Sequence, residues 1–134
     1  MFWGITYVLN EQIFKQLSVP TTIAIEALFF SVLTIVVMAF TGTLKTDIAT
    51  VGASRSLIWL LVAGTVAALI AELLIGFSIT AKNATLAGLI EISYPLFIAL
   101  FAFLLFKENE LTIGTAVGGA FVFLGVAIIY WFSR

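Results

Sequence analysis

Four glutamates interrupt stretches that are otherwise apolar: Glu11, Glu26, Glu72 and Glu91. A carboxylate at the centre of a lipid-crossing helix costs about 2.5 to 3.5 kcal/mol on insertion scales, so each of them needs a reason to be there. Glu11 and Glu26 stand about seven residues on either side of a turn near Ser18 and Val19. Glu72 and Glu91 flank a second turn at Lys82 by about ten and nine residues. At about 1.5 Å per helical residue, this counting puts all four acids roughly 10 to 15 Å inside one membrane face. One cavity lined by all four is the expectation. Crowded carboxylates in a poorly hydrated site share protons, which is the chemistry of proton-coupled cation exchange.

Helical periodicity refines the set. Gly4, Tyr7, Glu11 and Lys15 form one stripe, and Thr65, Ala68, Glu72 and Gly76 form another. Farther along, Gly88, Glu91 and Pro95 share a face, and the proline removes a backbone donor one turn after the acid, freeing the Glu91 carbonyl. A free carbonyl beside a carboxylate suits a cation or a proton, as in the discontinuous helices of transporters. Tyr7, Asn10, Tyr94 and Pro95 therefore join the four glutamates as candidates for binding substrate or protons. Plainer roles compete. Glu11 has Lys15 one turn on as a salt-bridge partner, and Glu26 stands nearest a helix end, where snorkelling competes with function. Glu72 and Glu91 have no basic neighbour at helical spacing, so function is the stronger reading for them.

These residues must be positioned by membrane helices. Of 134 residues, 63% are apolar and 10% charged, with a mean hydropathy of +1.24. A chain this short has too little interior to hide that surface from water, so lipid is its solvent. A hydrocarbon core of roughly 30 Å needs about 20 helical residues. Five segments approach that length, at about 1–17, 21–40, 56–79, 84–106 and 111–132, within a single transmembrane domain spanning 1–134. The near-continuous apolar run 57–75 excludes the alternating pattern of a membrane β-barrel. The expected class is thus an all-α integral membrane protein with five transmembrane helices. Its first segment lacks the basic start of a signal peptide and reads as a retained helix. Pro20 suits the first turn of the second helix, Lys82 and Asn83 make a tight reversal, and 41–55 reads as a solvated extramembrane loop.

The absence of cysteine and histidine removes disulfides, thiolate or imidazole metal sites and the usual general base. No metal, no cofactor and no enzymatic activity are expected, and without a basic run no nucleic acid partner is expected either. In the last helix Gly114, Gly118, Gly119 and Gly125 are candidates for close helix packing, the first two as a G-x-x-x-G pair.

The order of short motifs carries a resemblance over nearly the whole chain. Phe2-Trp3-Gly4 and Tyr7-Val8-Leu9 open the first helix, Leu17-Ser18-Val19-Pro20 leads into the second, and Ser93-Tyr94-Pro95-Leu96 falls in the fourth. The run 104–108 closes that helix, and Gly118-Gly119-Ala120 followed by Gly125-Val126 marks the fifth. Together they resemble one repeat of the drug/metabolite transporter superfamily, of the EamA-like kind. Members usually carry two such five-helix repeats of opposite orientation, so the resemblance implies one half of an inverted-repeat transporter. It further implies a carrier of small metabolites or drugs in the cytoplasmic membrane, with its site between helices.

Two functions follow as expectations. The first is a secondary transporter of a small metabolite or cationic drug-like solute, acting as a homodimer in the lipid bilayer. The second is a non-catalytic subunit of a larger membrane complex whose acids serve assembly. Positive charges bear on orientation: Lys45, Arg55 and Lys107 fall to one face, and Lys15, Lys82 and Arg134 to the other. A balance of this kind gives no positive-inside instruction, so insertion both ways and antiparallel pairing are expected.

Overall fold

The computed structural model describes residues 2–107 and 112–132, and it is all helical among them. Seven helices follow one another: α1 (Phe2–Ile13), α2 (Val19–Thr41), α3 (Leu44–Ala53), α4 (Arg55–Ala81), α5 (Ala84–Glu91), α6 (Tyr94–Phe101) and α7 (Ile113–Phe132). A π-helical turn, Ala102–Phe106, continues α6. Four stretches are long and apolar enough to cross a bilayer: α2, α4, the broken run Ala84–Phe106, and α7. Their large apolar side chains face outward, as Leu28, Phe29, Leu33, Leu74, Phe121 and Leu124 illustrate. In water such a surface would be untenable; against acyl chains it costs nothing.

The first expected span differs. α1 has 12 residues and ends at Ile13, where 14–17 form a turn that brings Val19 back against α4. Segment 41–55 also differs from a loop. Gly42, at φ 73°, ends α2 in the left-handed region that only glycine adopts freely, and α3 follows. Its Thr-rich, mixed pattern hides a helix from periodicity, while Asp47 in the first turn complements the helix dipole. The fourth segment is not one helix either, being interrupted between Glu91 and Tyr94. Positions 1, 108–111, 133 and 134, which held the starts of the first and fifth expected spans and Arg134 of the charge count, lie outside the described residues.

Local chemistry starts several of the helices. Pro20 occupies the first turn of α2, where its missing N–H costs no bond. Ser54 Oγ accepts from Leu57 N at 3.3 Å, and Asn83 Oδ1 accepts from Leu86 N at 2.8 Å. Thr112 Oγ1 does the same for Thr115 N at 3.1 Å, ahead of α7. Each cap is worth about 1 kcal/mol.

Helix α1 packs on α5 and α4, α4 also touches α2, α3 and α5, and α7 touches α5. Tyr7, Ile79, Ala84 and Ala87 form the buried cluster at the meeting of α1, α4 and α5, with Phe14 and Ile75 against it. Two glycines allow the closest approaches. Val19 and Phe14 press on Gly76, and Leu96 presses on Gly119. Among the described residues, Gly118 and Gly125 meet nothing within 4 Å and Gly114 meets only Thr112, so of the four packing candidates Gly119 is the one seen to hold another helix closely.

Candidate functional site

A cavity of about 780 Å³ lies between α1, α2 and α4 and is only partly enclosed. From α1 it takes Trp3, Thr6, Tyr7 and Asn10, and from the turn after it Phe14; from α2, Ile23, Glu26, Ala27, Phe30 and Ser31. From α4 it takes Thr65, Ala68, Leu69, Glu72, Ile75, Gly76 and Ile79. The α4 stripe read from periodicity, Thr65, Ala68, Glu72 and Gly76, is therefore a wall of the cavity. On α1 the facing stripe is rotated by about one position from the expected one. Tyr7 belongs to it, but Trp3, Asn10 and, just past the helix end, Phe14 take the places assigned to Gly4, Glu11 and Lys15, with Thr6 beside Tyr7. Polar side chains on both faces of α1 made the period ambiguous.

The four glutamates part company. Glu26 and Glu72 are half-buried in the cavity wall, and Glu72 lies within electrostatic reach of both Glu26 and Glu91. Glu91 stands behind the wall, where its Oε2 accepts a hydrogen bond from the Tyr7 hydroxyl. Glu11 is elsewhere: its Oε2 accepts from Ala84 N at 3.0 Å and caps α5 beside Asn83. Lys15 does not pair with it, donating instead to Gln12 Oε1 at 2.8 Å. One common depth for all four acids thus fails, because α1 stops at Ile13 and leaves Glu11 within a turn of its end. Its place at the positive end of α5 gives it a structural role in starting that helix.

Asn10 is buried in the wall, whereas Tyr94 and Pro95 are exposed on the outer side of α6. Pro95 acts on the backbone. It has no N–H to offer the Glu91 carbonyl, and the α ladder gives way to tighter bonds, Ser93 N to Ile90 O and Leu96 N to Ser93 O, both at 3.2 Å. Glu91 is thereby the last residue of α5, its side chain turned to α1. Pro95→Ala supplies the missing donor. The new amide at 95 should exchange with solvent slowly, and that exchange rate is the measurement to make; fast exchange would mean that the break persists without the proline.

The cavity has a chemical character: two carboxylates, the rings of Trp3, Tyr7, Phe14 and Phe30, hydroxyls from Thr6, Ser31 and Thr65, and no basic side chain among its described lining. Its size suits a small ligand, since such sites run from about 300 to 1,000 Å³. Carboxylates supply charge for a cation, and aromatic faces attract it further. Among the described residues no group of acids, histidines or cysteines is arranged to hold a metal ion.

No curated protein and no solved structure matches the chain significantly. The sequence profile of the EamA-like transporter family, a family of membrane transporters, matches residues 1–131, nearly the whole chain. With its apolar spanning helices and a half-open polar cavity between them, this multi-pass membrane protein belongs to the EamA-like transporter family.

Proposed function

We propose that the chain is one protomer of a secondary transporter that carries a small cationic, drug-like solute or metabolite across the cytoplasmic membrane in exchange for protons. The observation that carries this reading is the acidic, aromatic cavity lined by Glu26 and Glu72, with Glu91 tied to its wall through Tyr7. A cation entering it replaces protons that the crowded carboxylates would otherwise share. Reconstituted alone in liposomes, the protein should take up tetraphenylphosphonium, a cation with an apolar body, saturably and under an outward-directed proton gradient. Absence of flux under every gradient would favour the reading of a non-catalytic subunit.

The cavity is walled by three helices and only partly enclosed. A second copy in inverted orientation would complete it and give the ten-helix, inverted-repeat arrangement of the family, with rocking between two equivalent halves as the transport step. Orientation is testable because the protein contains no cysteine. Lys45 in α3 and Lys82 after α4 are exposed, and the 27 residues of α4 between them put them on opposite faces. Cysteine introduced at 45 or at 82 is expected to react with a membrane-impermeant maleimide from both sides of the membrane. Strictly one-sided labelling at both positions would rule out dual insertion and leave a parallel pair or a separate inverted partner.

A further inference from the structure

Glu91 does not line the cavity, yet one side chain connects it to the wall. The Tyr7 ring forms part of that wall beside Trp3, with ring centroids 6.0 Å apart. Its edge rests on Gly88, where an added Cβ would stand 3.3 Å from Tyr7 Cδ2 and 3.4 Å from Cε2, tighter than most such contacts. One turn beyond Gly88 on the same helix, Glu91 Oε2 accepts a hydrogen bond from the Tyr7 hydroxyl. The glycine lets the ring lie flat enough on α5 for its oxygen to reach the acid.

We propose that Tyr7 is the positioning residue that couples occupancy of the cavity to ionisation of Glu91, an inference that rests on the transport reading above. A phenol has one proton to donate and two lone pairs to accept with. When Glu91 is ionised, the Tyr7 O–H donates to its carboxylate across the contact between the two oxygens. When Glu91 is protonated, its own O–H donates to the phenol oxygen and the Tyr7 proton turns toward the cavity. A cation in the cavity repels a proton aimed at it and favours the first arrangement. The Glu91 O–H bond then breaks, its proton leaves to water, and the Tyr7 O–H swings back to the carboxylate. Binding one cation therefore expels one proton from an acid that the cation never touches.

The groups facing Glu91 fit this scheme. Tyr7 comes from α1 and Glu72 from α4, while Glu26 on α2 acts on Glu72, and Tyr94 on α6 acts on Tyr7. The remaining neighbour, α7, carries no ionisable side chain except Tyr130 near its C-terminal end. None of these groups is basic, so the hydroxyl of Tyr7 is what offers Glu91 a proton to accept.

The test counts protons. Tetraphenylphosphonium is titrated calorimetrically into the full-length protein in lipid nanodiscs, in buffers of differing ionisation enthalpy, for wild type, Tyr7→Phe and Glu91→Gln. Tyr7→Phe keeps the ring on Gly88, and the number of protons released per cation bound, which does not depend on affinity, is expected to fall to that of Glu91→Gln. Wild-type proton release in Tyr7→Phe would overturn the coupling and leave the transport reading standing; failure of wild type to bind the cation would overturn both. Should Tyr7→Phe not fold, infrared spectroscopy of the wild type decides. The carboxyl band identified as Glu91 by its loss in Glu91→Gln should shift when the cation binds, and an unmoved band would overturn the inference.

Discussion

Glu72→Gln is expected to lose cation uptake by about 30-fold or more, because removing one partner of a poorly hydrated charge pair costs about 2 kcal/mol or more, and each 1.4 kcal/mol is about tenfold. Glutamine keeps the shape of the side chain, so the helix packing around α4 should survive and thermal stability should stay near that of wild type. The loss should fall on binding, since Glu72 lines the cavity beside Glu26. Glu91→Gln should behave differently. It stands behind Tyr7, so cation affinity is retained while the dependence of uptake on the proton gradient disappears. Uptake by liposomes with and without an imposed gradient separates the two outcomes. Wild-type uptake and gradient dependence in both variants would make these acids structural.

Gly76→Val should be among the most destabilising single substitutions in the spanning helices. A Cβ at 76 would overlap Val19 Cγ1 and lie 3.4 Å from both Val19 Cγ2 and Phe14 Cζ. Overpacking of this kind costs about 1 to 3 kcal/mol, and the β-branched side chain has little rotamer freedom in a helix to escape it. Val19→Ala removes the colliding methyls, so the double variant Gly76→Val, Val19→Ala should recover much of the loss. Denaturant unfolding in detergent for the two single variants and the double gives the coupling directly. Additive effects would mean that α2 and α4 are not held together at this point. Since Gly76 and Phe14 also line the cavity, the single variant should reduce cation binding per folded molecule as well.

The membrane as solvent, the helical class and the transport family were all legible in the chain alone. Each depends on sums or on order: total apolar surface against what a small interior can hide, run lengths against bilayer thickness, and short motifs in sequence. The α4 wall was legible too, because Thr65, Ala68, Glu72 and Gly76 sit on one helix whose other faces are apolar, and a 3.6-residue period then points one way. The same period failed on α1, where Thr6, Asn10, Glu11 and Gln12 put polar groups on several faces.

Partners were beyond reach of spacing. Tyr7 and Glu91 are 84 residues apart, and Glu11 meets Ala84 across 73. Nothing in the local sequence says that one acid caps a helix while another takes a phenol proton. Depth in the bilayer follows from counting along a helix, but the angle through which each helix is turned is set by close contacts between distant segments. Tyr7 on Gly88, Val19 on Gly76 and Leu96 on Gly119 are those contacts. Packing is short-ranged and steep, so one missing Cβ decides which faces meet, and with them which carboxylates share the cavity.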